Sequence, residues 1–353
     1  MKVLVTGAAG FIGFHLCRAL AGRGDEVVGI DSINDYYDPD LKRARLAELG
    51  IGGRAADSGR PVQSATLPRM RFCRLLLEDK DGMDRLFSEQ KFGRVCHLAA
   101  QAGVRYSVEN PRAYVEANIV GFLNVLQGCR TTGVGHLVFA SSSSVYGLSQ
   151  RPPFSEHAGT DHPVSLYAAS KKADEMMAHA YSHLYGIPCT GLRFFTVYGP
   201  WGRPDMAYYK FARALTGGMP IELFNSGEMT RDFTYVDDVV EGVVRVMDRP
   251  SAPDPSWDPA RPDPASSSAP FRIYNIGNNR AEPLVNLVSA LERELGRKAV
   301  LRLAPMQPGD VRATEADVSD LRRDFGWKPS TPLEEGIARF VKWFKRYHGG
   351  AVA

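Results

Sequence analysis

The stretch Val3-Leu4-Val5-Thr6-Gly7-Ala8-Ala9-Gly10-Phe11-Ile12-Gly13 constrains this chain more than any other. A short apolar run leads into a Gly-x-x-Gly-x-x-Gly turn, and an amphipathic segment follows. Gly7 lets the chain turn tightly. Gly10 removes a Cβ where a diphosphate must approach backbone N–H groups, and Gly13 lets the helix pack close to the strand. The diphosphate then lies at the positive end of that helix, where Phe11 and Ile12 join the same site. Glycines so spaced also serve plain turns, but a strand before and a helix after make this a dinucleotide signal. A second strand ends at Asp31, 18 residues beyond Gly13. A carboxylate there accepts hydrogen bonds from the adenosine ribose and repels a 2′-phosphate, which favours NAD over NADP.

The rest of the first half alternates in the same way. Apolar runs at Val3–Val5, Val27–Ile30, Met70–Leu75, Val95–Leu98, Leu137–Ala140 and Pro188–Leu192 read as strands buried on both faces. Amphipathic segments at Phe11–Ala21, Gly82–Gln90, Ala113–Arg130 and Leu166–Tyr185 read as helices between them. The pattern predicts an α/β fold, a Rossmann-type doubly wound parallel sheet with a smaller C-terminal α/β substrate lobe. Residues 1–193 are expected to form the NAD-binding Rossmann domain, with segments near 232–248 and 272–278 returning to it, and 194–347 the lobe. Helical patterns at Ala207–Leu215, Leu284–Leu295 and Leu333–Arg346 fall in that lobe. Two stretches read as mobile insertions. Residues 50–68 are rich in Gly, Ser and Arg, and 250–270 carry seven of the 23 prolines, too many for regular structure.

Composition narrows the class. A net charge of +3 is too slight for a dedicated nucleic-acid or membrane-surface binder. No apolar run approaches the roughly 18 residues of a membrane span. Glycines break up the apolar N-terminus and no small-residue cleavage site follows, so it is not read as a signal peptide. The five cysteines form no CxxC pair and are odd in number, which points to a reducing cytoplasm.

A chemical site follows the next strand. Ser141-Ser142-Ser143-Ser144-Val145-Tyr146-Gly147 ends it, and Tyr167-Ala168-Ala169-Ser170-Lys171 opens a helix downstream. One helical turn puts Tyr167 and Lys171 on the same face. An ammonium and a nicotinamide cation nearby would stabilise a phenolate, so Tyr167 could act as a general base near neutral pH. One of the serine hydroxyls would hold the substrate oxygen. His179 and His183 stand four apart on the same helix, but without an HExxH pattern or a third ligand they read as a plain helix face, and no metal is expected. Met176 and Met177 read as packing.

These motifs resemble the extended short-chain dehydrogenase/reductase superfamily. The resemblance makes Ser142 the third catalytic residue with Tyr167 and Lys171, Ser141 being the near alternative. It gives Asn118 a structural or cofactor-supporting part, and adds Asn34, Leu98, Ala99 and Ala100 to the cofactor site. The superfamily's adenine-contacting Asp aligns with Leu76, leaving Glu78 or Asp79 as substitutes. Its members share hydride transfer from sugar C4 to NAD. Dehydratases and decarboxylases then place an acid residue just before Val-Tyr-Gly, where this chain has Ser143-Ser144. Serine is no acid or base at neutral pH without activation, so return of the hydride, that is epimerisation, remains.

The chain is most similar to UDP-glucuronate 4-epimerases. Gln101-Ala102-Gly103-Val104-Arg105-Tyr106-Ser107, Val120–Leu126, Leu192–Met206, Arg231–Asp238 and Gln307–Val311 carry that similarity. It implies a UDP-sugar substrate and a homodimer built on the helices of 113–130 and 166–185. A desolvated sugar carboxylate requires hydrogen bonds or a cation. Thr196, Arg203, Ser143 and Ser144 are expected to supply them, with Arg105 also at the substrate, Arg231 on the diphosphate, and Arg312 and Asp310 completing the nucleotide site. A 4-keto uronate is a β-keto acid that loses CO₂ readily, so the pocket must hold the carboxylate where its C–C bond lies poorly aligned for cleavage. A UDP-glucose/UDP-galactose 4-epimerase shares every catalytic residue and is the first alternative. A decarboxylase or a 4,6-dehydratase is disfavoured by the serines, and a non-catalytic NAD-sensing module has no use for Ser142, Tyr167 and Lys171 together.

Overall fold

Short β-branched runs whose side chains are apolar on both sides belong between two layers of helices, and that is where they lie. In a computed structural model of the chain, residues 1–149, 151–306 and 311–349 are described. The chain divides into two units: Met1–Ser149, Glu156–Phe194 and Val240–Asn275 form the first, and Gln150–Ser155, Phe195–Val239 and Ile276–Ala353 the second.

The first unit runs β1 (Lys2–Thr6), α1 (Phe11–Gly22), β2 (Glu26–Asp31), α2 (Pro39–Glu48), β3 (Val62–Gln63), β4 (Met70–Arg74), α3 (Lys80–Gln90), β5 (Arg94–His97), α4 (Tyr106–Glu109), α5 (Pro111–Tyr114), α6 (Gly121–Thr132), β6 (Leu137–Ser142), α7 (Leu166–Tyr185) and β7 (Cys189–Phe194). The sheet order is Phe271–Ile276, β7, β6, β5, β1, β2, β4, β3. From β4 to β7 all neighbours are parallel. Strand order reverses beside β1, and the turn after β1 and the loop after β5 flank that switch point, where doubly wound sheets bind ligands. Leu4, Val28, Val95, Leu137 and Phe139 form one continuous core with Met83 and Phe87 of α3, Phe122 and Leu126 of α6, and Ala178 of α7. All five cysteines are free and buried.

Three features differ from the sequence reading. Helix α2 carries no apolar stripe because Lys42 and Arg45 share its buried face with Leu41 and Leu46; its signals are the Asp38 cap on Asp40 N–H at 2.9 Å and Pro39 in the first turn. The helix expected over Ala113–Arg130 runs without a gap from Pro111 to Thr132, but Val115–Val120 between α5 and α6 is a π-turn that the sequence did not signal. Within 50–68, Gly53–Asp57 makes a 3₁₀ turn and β3 pairs antiparallel with β4. The stretch 250–270 contains neither helix nor strand. Backbone and side-chain bonds fasten it, including Asp254 N–H to Ser267 O at 2.8 Å and Ser251 Oγ to Pro270 O at 2.7 Å.

In the second unit, Ala281–Pro283, Thr230–Tyr235 and Thr196–Tyr198 form a three-stranded sheet, and Ile221–Phe224 pairs in parallel with Leu301–Ala304. Helices Ala207–Gly217 and Leu333–His348 meet through Tyr208, Tyr209, Phe340, Trp343 and Phe344, and Leu284–Leu295 packs against both. Asp232, fully buried, is a node of this unit. It accepts from the N–H groups of Asn278, Asn279 and Ala316, and burial pushes its carboxyl up to about 6.

Candidate active site

The glycine turn is closed by its own backbone. Gly7 has φ +75°, and a Cβ there would stand 2.9 Å from Ala99 N. Gly10 N–H donates to Gly7 O at 2.9 Å. A Cβ on Gly13 would lie 2.1 Å from Gly7 O, so the close approach that excludes a side chain is to the turn carbonyl more than to the strand. Helix α1 has no side-chain cap and no acidic residue in its first turn. Its leading N–H groups, those of Phe11, Ile12 and Gly13, have no intrahelical carbonyl to pair with, which suits a diphosphate. Buried Asp31 accepts from Ala9 N–H at 3.1 Å and Ile33 N–H at 2.8 Å. A carboxylate offers about four acceptor positions, so ribose hydroxyls still find room on it. These residues fit a dinucleotide without a 2′-phosphate.

The surroundings of the turn add residues that the sequence did not reveal. Arg45 is fully buried and donates to Ala9 O at 2.9 Å and to Tyr37 Oη at 2.6 Å. Lys42 holds exposed Asn34 through its backbone oxygen at 2.8 Å and its side-chain oxygen at 2.5 Å. Thr6 Oγ1 accepts from the N–H groups of Leu98 at 3.2 Å and Ala99 at 3.1 Å, which ties the end of β5 to β1, and these two and Ala100 are half-buried. Leu76 is 55% exposed, and Asp79 caps α3 through Gly82 N–H at 3.0 Å, with Glu78 beside it near that strand end.

At the end of β6, alternation along the strand separates the two candidate serines. Ser141 Oγ donates to Glu175 Oε1 at 2.6 Å, and Glu175 is held by Arg193 at 2.8 and 3.0 Å. Ser142 Oγ accepts from Ser144 N–H at 3.1 Å and caps the 3₁₀ turn Ser143–Tyr146, on which Ser143 and Ser144 are half-buried. Among the described residues no acceptor takes the Ser142 hydroxyl hydrogen, which leaves it for a substrate oxygen.

Helix α7 opens with Ser165 Oγ accepting from Ala168 N–H at 3.1 Å. Half-buried Tyr167 lies in that first turn, with its ring edge-on to Tyr114 at 6.1 Å. Lys171 is buried one turn on and donates to Asp174 Oδ2 at 2.7 Å. Asn118 is a structural link. It is fully buried, and its amide donates to Gln101 O at 3.2 Å and Ser170 Oγ at 2.8 Å while its oxygen accepts from Gln101 N–H at 2.8 Å. Both amide hydrogens are therefore taken, and Asn118 ties the loop after β5 to α7, the structural one of its two expected parts. The π-turn is what aims it inward.

The remaining substrate candidates lie elsewhere. Arg105 is exposed at the start of α4. In the second unit, Thr196 is half-buried at the head of its strand. Arg203 already forms a two-pronged pair with Asp205, at 3.0 and 2.5 Å, so its charge is offset within the loop. Arg231 donates to Arg312 O at 3.2 Å, which brings those two residues together. Asp310 lies outside the described residues. His179 shares a hydrogen bond with Ser267 Oγ at 2.8 Å. Among the described residues no group of His, Cys, Asp and Glu is placed to hold a metal ion, and no helix is long and apolar enough to cross a membrane.

A Rossmann unit with a glycine turn under α1 and a serine, tyrosine and lysine on β6 and α7 defines a short-chain dehydrogenase/reductase type of protein. The chain belongs to the NAD dependent epimerase/dehydratase family, whose model matches residues 3–277. It is 49% identical over 348 residues to Protein CapI of Staphylococcus aureus, covering 99% of both chains. It is 46% identical over 354 residues to UDP-glucuronate 4-epimerase 3 of Arabidopsis thaliana, covering 99% of this chain and 77% of that one. Its structure superposes on a UDP-glucuronic acid 4-epimerase from Bacillus cereus, solved with UDP-glucuronic acid and NAD, with TM-score 0.82 and 30% identity over 98% of this chain and 100% of that one.

Proposed function

We propose that this chain is an NAD-dependent isomerase that interconverts UDP-glucuronate and UDP-galacturonate at C4. The observation that carries the reaction type is the turn after Ser142, where Ser143 and Ser144 offer hydroxyls and no carboxylate. Both acids of α7 are buried and paired, Asp174 with Lys171 and Glu175 with Arg193. Elimination needs a further acid or base that this turn lacks, and loss of CO₂ from the 4-keto acid is restrained by how the carboxylate is held. Similarity over nearly the full length to proteins named UDP-glucuronate 4-epimerase supports the uronate substrate.

Gly7, Gly10, Phe11, Ile12, Gly13 and Asp31 would hold NAD, whose oxidised ring, when bound, accepts the C4 hydride and returns it to the opposite face. Tyr167 takes the proton of the C4 hydroxyl and later restores it, Ser142 holds the C4 oxygen, and Lys171 favours the phenolate. In the first unit Ser143 and Ser144 are the proposed carboxylate contacts and Arg105 a further substrate contact; in the second unit Thr196 and Arg203 are those proposed for the carboxylate, and Arg231 and Arg312 for the rest of the UDP-sugar. Thr196→Val should raise the share of UDP-pentose among the products. If that variant is merely slower and releases no additional CO₂, Thr196 has no part in restraining the carboxylate.

The pairing of Arg203 with Asp205 favours one second reading, a UDP-glucose/UDP-galactose 4-epimerase, because it leaves less positive charge for a carboxylate. Incubation with UDP-glucuronate and no added NAD separates the two. UDP-galacturonate is expected, with deuterium placed at C4 retained. Conversion of UDP-glucose alone, or a decarboxylated product from the unaltered protein, overturns the uronate reading.

A homodimer is part of the proposal. Val120 and Leu123 of the π-turn and α6, and Met176 and Leu184 of α7, are exposed apolar side chains, and Ala169, Ala173 and Ala180 continue the α7 stripe. The five unpaired cysteines support a reducing, cytoplasmic setting.

A further inference from the structure

Three side chains on α7 share a face at intervals of four and three residues: Tyr167, Lys171 and Asp174. The first two are the proposed base and its ammonium. The third is a carboxylate that no step of the reaction uses, yet it is the partner Lys171 makes. Their bond is 2.7 Å long, and the two side chains are only 2% and 1% exposed. The other carboxylate oxygen of Asp174, Oδ1, is buried with no hydrogen-bond partner. A buried carboxylate with half its acceptors unmet is costly unless a cation compensates it. Lys171 is that cation.

We propose that Asp174 is a positioning residue for Lys171, a buried counter-ion that fixes the ammonium one turn below Tyr167 and offsets part of the positive field the phenol feels. The inference rests on the epimerase reading only for the role of Tyr167. Burial pushes the Asp174 carboxyl up to about 6 while Lys171 draws it back, so the carboxylate is charged at neutral pH. The neighbouring groups do not replace it. His97 of β5 is kept neutral, because burial and the Lys171 charge hold it well below its usual value. Glu175 is held by Arg193 of β7 and approached by Lys172 at 3.5 Å. Ser141 of β6 points to Glu175, and Asn118, Tyr114 and Tyr106 from the preceding helices carry no charge.

The sign of the effect follows. A carboxylate near a phenol disfavours the phenolate, so removing it makes Tyr167 more acidic. The test reads Tyr167 directly, from the ultraviolet phenolate absorbance of the purified holoenzyme minus that of Tyr167→Phe as pH is raised. The same difference is then taken in an Asp174→Asn background. The midpoint should fall by about one pH unit, the size expected of one charge roughly 10 Å along a helix at an effective dielectric of about 20. The acid limb of the kcat–pH profile should move the same way. Asp174→Glu, which keeps the charge, should leave the midpoint near its original value. A midpoint that stays put or rises in Asp174→Asn overturns the proposal, as does an equal shift in the Asn and Glu variants. Asp174→Ser serves in place of Asn if the amide variant does not fold. The absorbance reading needs no substrate, so failure of the epimerase reading and failure of this one are told apart.

Discussion

Tyr167→Phe lowers kcat for C4 epimerisation by about 10²–10⁴-fold, the usual contribution of a positioned general base. The fold should be untouched. The Tyr167 side chain is half-buried, its ring meets Tyr114 edge-on, and the helix start depends on Ser165 and Ala168, which remain. The phenylalanine ring keeps that edge contact and removes the oxygen alone. Steady-state turnover of UDP-glucuronate, with circular dichroism as the control for folding, checks the outcome. Turnover within threefold of the unaltered protein would take the proton transfer away from Tyr167. KM should change little, because a residue that acts in the transition state affects kcat and kcat/KM together.

Arg193→Met should destabilise the first unit by about 3–5 kcal/mol, because it strands a buried carboxylate. Arg193 and Glu175 are both fully buried, joined at 2.8 and 3.0 Å. The guanidinium also lies over the Tyr146 ring at 4.9 Å, and the Tyr146 hydroxyl donates to Asn275 Oδ1 at 2.7 Å. Burial alone would push the Glu175 carboxyl up, but Arg193, Lys172 and the Ser141 hydroxyl together hold the group below its usual value. That advantage exists above the unfolded-state pKa and fades as pH falls through the folded one. In the variant, Glu175 must instead take up a proton or remain an unpaired charge. The deficit should therefore be largest at neutral pH and shrink in acid. Urea unfolding at pH 7 and near pH 4 measures both. The double variant Arg193→Met/Glu175→Leu should recover most of the loss, since two apolar groups leave no buried charge behind. Equal losses in the single and double variants would mean that the arginine acts through packing and not through its charge.

The parts of this protein that a reader of the chain could see are those whose causes are local. The strand, turn and helix around Gly7, Gly10 and Gly13 follow from glycines and an apolar run within 13 residues. The limits of Leu166–Tyr185 follow from a serine cap, an uninterrupted amphipathic stretch and Gly186 in the left-handed region at φ +66°. The catalytic pair one turn apart is equally local. By contrast, α2 was hidden because its buried face includes a lysine and an arginine, whose partners Asn34 and Ala9 only the fold supplies. The π-turn that points Asn118 at Ser170, 52 residues away, leaves no periodic mark.

Thus the glycine spacing, the alternating hydrophobic pattern and the Tyr-x-x-x-Lys interval determined the fold class, the glycine turn and the placing of the candidate catalytic pair one helical turn apart, because each depends on backbone geometry within a few residues. Tertiary structure alone decided which serine is free, whom Lys171 pairs with, and how Glu175 and Arg193 neutralise each other. Those outcomes depend on which side chains meet once water is excluded, and burial turns each such meeting into a condition for folding.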